Sequence, residues 1–386
     1  MAQKFLDSEG VKTLVTEIYN TFAEKSEIKD YDEDVSALDG RIADVESGAT
    51  QLSNELAGVG DRIDAVDAKV VTADAISALI AKALVDAQKG TKYEAAELKS
   101  AMSKTGIVKL AEDVNMGTQQ IVVPADADIV LDLNGKEISS SLNGSFLVVN
   151  GGSLTIENGT IVGKKKTLDI NNGATLVINN AVIESQTNQG ITAGNNSVVE
   201  FNSGEVKSVE AGIAAFTGTK VIMNGGKITT TDNGGIMANG SSGQGDVEII
   251  MNGGEIDASI SSSGYVAVGV YMPNTGSFTM NGGKITANGG AGVVCRGGLT
   301  TINGGEIVTT AHPTLTVGKV GDSRVVVPCA AIVYDKNSKY PGMDSLEVVV
   351  NEGAVLNSAV DDIAILSDEE NPKVTDNRVV EELPEE

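Results

Sequence analysis

Apolar and polar positions alternate in a short phrase, clearest at Val221-Ile-Met-Asn-Gly-Gly-Lys-Ile228, that returns along the chain at regular distances. Near-copies read Ile249-Ile-Met-Asn-Gly-Gly-Glu-Ile256, Phe278-Thr-Met-Asn-Gly-Gly-Lys-Ile285 and Thr300-Thr-Ile-Asn-Gly-Gly-Glu-Ile307. Weaker copies run from Leu131 to Ile138, Leu154 to Ile161, Leu176 to Ile183, Val199 to Val206 and Val348 to Val355. The central apolar column is then Leu133, Ile156, Ile178, Phe201, Met223, Met251, Met280, Ile302 and Val350, advancing by 22 to 29 residues until Ile302. The last step, of 48, reads as two turns, with an unaligned one near Val325 to Val327 and Ala331 to Tyr334. A fixed period of this length is read before any single motif, because it sets the architecture.

Ile or Val stands five residues after each central position, the composition of a strand buried against its neighbours. Between the two apolar positions lies Asn (Asn134, Asn179, Asn202, Asn224, Asn252, Asn281, Asn303, Asn351), with Glu157 the exception, and then usually Gly. Asn and Gly tolerate left-handed backbone angles, so each copy is expected to hold a sharp corner between two short strands. Stacked Asn side chains are expected to hydrogen-bond along the stack, satisfying polar groups that the corner turns inward. A third short strand precedes most copies, at Gly190 to Ala193, Gly212 to Ala215, Gly235 to Ala238, Gly269 to Met272 and Gly292 to Cys295. Three short strands and their corners in about 22 to 25 residues describe one turn of a parallel β-helix, stacked at about 4.8 Å. Roughly ten turns make a rod about 45 to 50 Å long at that spacing.

The front of the chain follows helical periods. Leu6, Gly10, Leu14, Ile18 and Phe22 repeat every four residues, and Asp7 or Ser8 can cap the start, so residues 7 to 25 read as an amphipathic helix that must pack on something. From Ile28 the steps alternate three and four through Tyr31, Val35, Leu38, Ile42, Val45, Ala49, Leu52, Leu56, Val59, Ile63, Val66 and Val70. Six such heptads predict a coiled coil about 65 Å long, and β-branched residues on both seam positions favour three strands. The expected state is therefore a homotrimer. Gly40, Gly48, Gly58 and Gly60 lie off the seam and oppose a continuous rod, each by up to about 1 kcal/mol. The competing reading of the pattern is an intramolecular helical hairpin. From Thr72 to Lys99 the helical composition continues without strict heptads, as expected of a helical collar.

Composition sharpens this picture in three ways. A Gly count of 45 against 7 Pro suits a glycine-cornered solenoid. Lys plus Arg number 28 against 53 Asp plus Glu, a net charge of -25, so neither nucleic acid nor an anionic membrane surface is an expected partner. Cys295 and Cys329 form no metal-spaced or redox pattern, no apolar stretch is long enough to span a membrane, and the first residues do not resemble a signal peptide.

Two segments carry a resemblance. Met102-Ser-Lys-Thr-Gly-Ile-Val-Lys-Leu-Ala-Glu-Asp-Val114 resembles the Thr-x-x-Gly-Ile/Val-Val-x-Leu/Gln element of bacteriophage tail-fibre and head-fibre proteins, where it often joins shaft modules. Phe5-Leu-Asp-Ser-Glu-Gly-Val-Lys-Thr-Leu14 is similar to the N-terminal start of many phage fibre and virion-appendage proteins. Together they cover about a tenth of the chain, and their order around a coiled coil is more specific than either alone. The resemblance implies a virion fibre made in the host cytoplasm and carried on the virion surface. Leu6, Leu14, Ile18 and Phe22 would dock on a capsid or tail protein, with a head fibre favoured over a tail fibre because the chain is short and lacks many shaft modules.

The expected fold is thus an N-terminal α-helix and trimeric coiled coil followed by a right-handed parallel β-helix (β-solenoid). The expected boundaries are a virion-attachment helix at 1–27, a coiled coil and collar at 28–100 and a linker at 101–125. The parallel β-helix follows at 126–370, with an acidic tail at 371–386.

Chemistry is weighed on the same frame. Glycan cleavage needs two carboxylates facing one sugar site. The candidates Glu205, Glu210, Asp232, Asp246, Glu255, Asp257 and Glu306 are scattered, and Glu205, Glu255 and Glu306 share a repeat position with Lys227 and Lys284. Alternating charge at one stacked position predicts salt-bridge ladders. Trp is absent and aromatics are 3% of the chain, which removes the usual sugar-stacking surface. His312 has no nucleophile in a recognisable elbow, and Asp126-Ala-Asp128 and Asp361-Asp362 lack calcium-loop spacing. No enzyme activity, cofactor or metal is expected. Recognition is expected in longer loops, around Ser241 to Asp246, Ser261 to Ala267, His312 to Arg324 and Asp335 to Asp344, with a host-surface glycan as the candidate ligand and no single receptor-binding residue singled out. A polysaccharide depolymerase and a bacterial surface adhesin are the alternative readings. Ile363 to Leu366 and the acidic tail are expected to cap the last turn.

Sedimentation tests the heptad reading directly. The full chain, 39.7 kDa as a monomer, is expected to sediment as three copies, and a monomeric mass would overturn the coiled-coil assignment.

Overall fold

Each repeat of the phrase can bury its apolar face only against the next, so the copies stack. The computed structural model describes residues 47–48, 51–52, 90–260, 266–312, 318–320, 325–367 and 370–378. The chain divides into two units, Met1–Leu79 and Ile80–Glu386. The described residues of the second form a parallel β-solenoid of ten coils, each with a first, second and third strand. The opening coil is Gly106–Lys109, Val114–Asn115 and Ile121–Val123, and the tenth is Glu347–Asn357 with Ile363–Leu366. Val374–Asp376 begins an eleventh. First and second strands bend around a shared corner and form one 17-stranded sheet, and third strands form a separate 10-stranded sheet.

The pairing is parallel and in register, so every inward position becomes a column. Phe201, Met223, Met251, Met280, Ile302 and Val350 follow one another on the first strands, and Val206, Ile228, Ile256, Ile285 and Ile307 on the second. All are buried in one core that runs the length of the solenoid. Volumes compensate in the fifth and sixth coils, where the third strands carry Ala215 and Ala238 and the first strands Phe201 and Met223. Glycine enters the third strands for space. A Cβ at Gly212, Gly235, Gly269 or Gly292 would overlap the Cγ2 of Ile228, Ile256, Ile285 or Ile307 respectively. These four glycines let the third sheet settle onto the second-strand isoleucines.

The corner divides its labour between two residue types. Glu157, Asn179, Asn202, Asn224, Asn252, Asn281, Asn303, Asn351 and Asn377 form a continuous ladder. Each asparagine Nδ2 donates to the side-chain oxygen one coil earlier, at 2.8–3.3 Å. The repeat pattern predicts a ladder that satisfies inward groups, but the ladder runs along the outside, where Asn224, Asn252, Asn281 and Asn303 are exposed. Left-handed backbone falls on the second glycine of the phrase, with φ of 77° at Gly226 and 86° at Gly254. Asn134 leaves the ladder and instead takes φ of 52° and donates to the Leu110 carbonyl. Its coil has a corner two residues longer, so Leu131, not Leu133, stacks on Ile156.

The ends and the long step depart from the sequence reading. Residues 106–123, expected as a linker, form the first coil, and Gly106-Ile-Val-Lys109 of the fibre-like element is its first strand. Helix α1, Ala95–Ala101, closes that end: a Glu94/Glu97 capping box starts it, and Leu98 and Met102 bury themselves in the solenoid core. Val350 pairs directly with Ile302, so the 48-residue step is one coil with a long excursion rather than two turns. Val325–Val327 pairs antiparallel with Gly318–Val320 outside the stack, and Ile332–Asp335 is the third strand of that coil. Ile363–Leu366 is a further stacked strand, paired with Ile332–Asp335, rather than a cap. The heptad and anchor residues lie outside the described residues, apart from Leu52, which is helical and 63% exposed. Ser47 and Gly48 are also helical.

Two alanine substitutions separate backbone strain from stacking. At Gly254 a Cβ would stand 2.7 Å from the Gly226 oxygen and from Met223 Cε, whereas Gly135, at φ of 75°, has open space around it. Gly254→Ala is expected to cost at least about 2 kcal/mol and Gly135→Ala about 1. Equal shifts in Tm by circular dichroism would show that stacking space plays no part.

Candidate functional site

The outer faces of the second strands and of the third sheet are available for chemistry. On the second strands, Glu205, Lys227, Glu255, Lys284 and Glu306 stand opposite one another in register. Lys227 Nζ reaches Glu255 at 3.3 Å and Asp257 at 3.5 Å, Lys284 reaches Glu306 at 2.8 Å, and Lys207 meets Glu205 at 3.1 Å. Burial opposes the Lys227 charge, but Glu255 and Asp257 overcome it and lift its pKa above the ordinary lysine value. Salt bridges between coils form as predicted at Lys227 and Lys284, and together with the Lys207–Glu205 pair within one strand they hold four of the seven candidate carboxylates. Of the others, Glu210 accepts from Gln189 at 3.2 Å, Asp246 lies exposed at a corner with φ of 60°, and Asp232 is half-buried.

The third sheet is open outside at one end and covered at the other. In the first coils its outward positions are Val122, Val148 and Asp169, partly exposed. In the seventh to ninth coils both faces are buried, and a second apolar cluster joins outward Val268, Tyr271, Val294 and Val333 to Val266, Val327 and Ala330 from the longer loops. Loops therefore fold back over this face as a lobe. Its members interlock at the turn after the third strand: Asn274 Nδ2 donates to the Ser241 carbonyl, Thr217 Oγ1 donates to Gln244 Oε1, and Gly342 lies against Asn274.

Arg296 lies under this lobe, completely buried. It follows Cys295 in its strand as Asp335 follows Tyr334, and since Cys295 and Tyr334 are paired, the two charges meet on neighbouring coils. Arg296 Nε donates to Asp335 Oδ2 at 2.6 Å and an Nη donates to the Tyr271 hydroxyl at 2.9 Å. The guanidinium also lies 4.5 Å from the Tyr340 ring centre and 5.4 Å from that of Tyr271. Burial disfavours its charge, yet Tyr271, Tyr340 and Asp335 together hold it above the ordinary arginine pKa. Burial pushes the Tyr271 phenol well up despite the guanidinium, and pushes the inward Cys295 thiol up to about 12. Neither group offers a base or nucleophile at neutral pH. Beside the cluster, Asp335, Lys336, Asn337, Ser338, Leu366 and Ser367 line an open depression of about 340 Å³.

Part of this lobe is legible in the sequence. The loops at Ser241 to Asp246 and Asp335 to Asp344 do meet in it, but Tyr334 points into the solenoid core and Tyr340 covers Arg296, so neither is an exposed platform. Ser261 to Tyr265 and residues 313–317 and 321–324 lie outside the described residues. Sequence reasoning misses Arg296, Asp335 and Tyr271; the available signal is a charged residue directly after an inward strand in each of two consecutive coils. Among the described residues no cluster of three or more His, Cys, Asp or Glu is placed to hold a metal ion, and no helix is long and apolar enough to cross a membrane. In comparisons with known proteins, no family model, curated protein or solved structure matches the chain.

The arginine cluster yields a paired test. Asp335→Ala strands a buried guanidinium and is expected to cost about 3–5 kcal/mol, with proteolytic cleavage appearing around residues 336–346. Replacing both partners, Arg296→Met with Asp335→Leu, is expected to restore most of that stability. If the double variant is no more stable than the single one, the pair does more than neutralise a buried charge.

Proposed function

We propose that this chain is a structural, non-enzymatic fibre of a bacteriophage virion, a homotrimer anchored by its N-terminal helix, with the head favoured over the tail. A right-handed β-helix projects from the particle and contacts the host surface, with a surface glycan as ligand. The observation that carries the reading is the parallel stack of ten coils, a stiff spine suited to holding a surface at a distance. The charge columns support it, because Glu205, Glu255, Asp257 and Glu306 are taken up in ion pairs with Lys207, Lys227 and Lys284 rather than set as a carboxylate pair facing one sugar site. The loop lobe over coils seven to nine is the surface offered for recognition. The resemblances at Phe5 to Leu14 and Met102 to Val114 supply the virion context and the anchor.

Gold-labelled antibody against the solenoid, imaged on particles, is expected to decorate projections on the capsid. Label confined to the tail would move the anchor, and unlabelled particles would defeat the virion assignment. Added purified protein is expected to slow adsorption of particles to host cells. Release of reducing sugar from host capsule would replace the fibre with a depolymerase.

A further inference from the structure

The repeated corner is written in a chemically labile dipeptide. In Asn-Gly the backbone nitrogen of glycine can attack the asparagine Cγ with little steric hindrance, because glycine has no side chain. A C–N bond forms, the Cγ–Nδ2 bond breaks, and ammonia leaves carrying the proton lost by the glycine nitrogen. Water then opens the resulting succinimide at either carbonyl, giving aspartate or isoaspartate. Four ladder members, Asn224, Asn252, Asn281 and Asn303, are followed by glycine and are exposed to water.

Both reacting groups are held at these corners. The leaving nitrogen of each donates to the carboxamide of the previous coil, and its Oδ1 accepts from the next, which fixes the Cγ plane. At two of them the attacking nitrogen is engaged too: Gly225 N–H points to the Phe201 carbonyl and Gly253 N–H to the Met223 carbonyl, each at 3.3 Å. Reaction there requires a side chain to leave two ladder bonds and a backbone amide to leave its coil.

Asn143-Gly144 has none of these restraints. It lies in the bend before the third strand of the second coil, Asn143 is exposed, and a Cβ built on Gly144 meets nothing within 4 Å. Among the described residues, no hydrogen bond engages the Asn143 side chain or the Gly144 N–H.

We infer that Asn143 is a site of spontaneous deamidation and isoaspartate formation in the folded protein, and that the asparagine ladder protects the Asn-Gly corners from the same reaction. The ladder is thereby a chemical shield as well as a register device. A carboxylate formed within it would lose the donor that holds it to the previous coil, whereas one at Asn143 breaks no bond.

The test is to age the full-length folded protein in mildly alkaline buffer and follow each Asn-Gly peptide by mass spectrometry and isoaspartate-specific methylation. Asn143 is expected to convert more than tenfold faster than Asn252 or Asn281, equivalent to at least about 1.4 kcal/mol of barrier. In urea-unfolded protein the rates are expected to converge. Asn252→Ser removes the bonds on both sides, and conversion at Asn224 and Asn281 is expected to rise while circular dichroism remains that of a β-solenoid. Ladder positions converting as fast as Asn143 in the folded wild-type protein would overturn the shield. An Asn143 as slow as the ladder would overturn the site, and that comparison requires no variant to fold.

Discussion

Parallel register between successive coils, at about 4.8 Å, is the constraint on which everything else in the described solenoid depends. A column position is shared by every coil, so a side chain that fits once must fit against copies of itself. That is why the inward columns are apolar, why the corners repeat asparagine, and why glycine returns wherever one sheet settles on another. A single ladder hydrogen bond contributes at most about 1 kcal/mol on the surface. A row of them from Glu157 to Asn377 has a further effect: slippage of one coil by one residue would break its bonds on both sides and turn its apolar face to water.

The same rule accounts for the charges. Like charges stacked at this spacing repel, so an outward position carrying glutamate on one coil takes lysine on the next, as at Glu205, Lys227, Glu255, Lys284 and Glu306. The chain is strongly acidic overall, yet this column is nearly neutral.

The lobe over the third sheet obeys different physics. Insertions at corners leave the stack unaffected, so they can lengthen freely. Once several fold back, the outer face of the sheet becomes a second interior, with its own apolar cluster and a buried arginine that Asp335, Tyr271 and Tyr340 must satisfy. A buried charge pair adds little net stability, but its geometry admits few alternatives. It pins the 336–346 loop in one place on the solenoid.

How much of this can be read from the sequence follows from how local each cause is. The period, the corner, the inward columns, the asparagine ladder and the alternating charges are legible, because a one-dimensional stack turns sequence spacing directly into spatial contact. Where spacing and contact part, the reading fails. The longer corner at Asn134 shifts Leu131 into the place that spacing gives to Leu133, and the 48-residue step looks like two coils because an excursion and an extra coil have similar lengths. Glu157 looks like a break in the asparagine series but serves as the acceptor that starts the ladder. The meeting of Arg296 with Asp335 and Tyr340, and the closure of the first coil by Leu98 and Met102, are decided by tertiary structure alone. Those contacts join segments that no period relates, and only the folded solenoid brings them within reach.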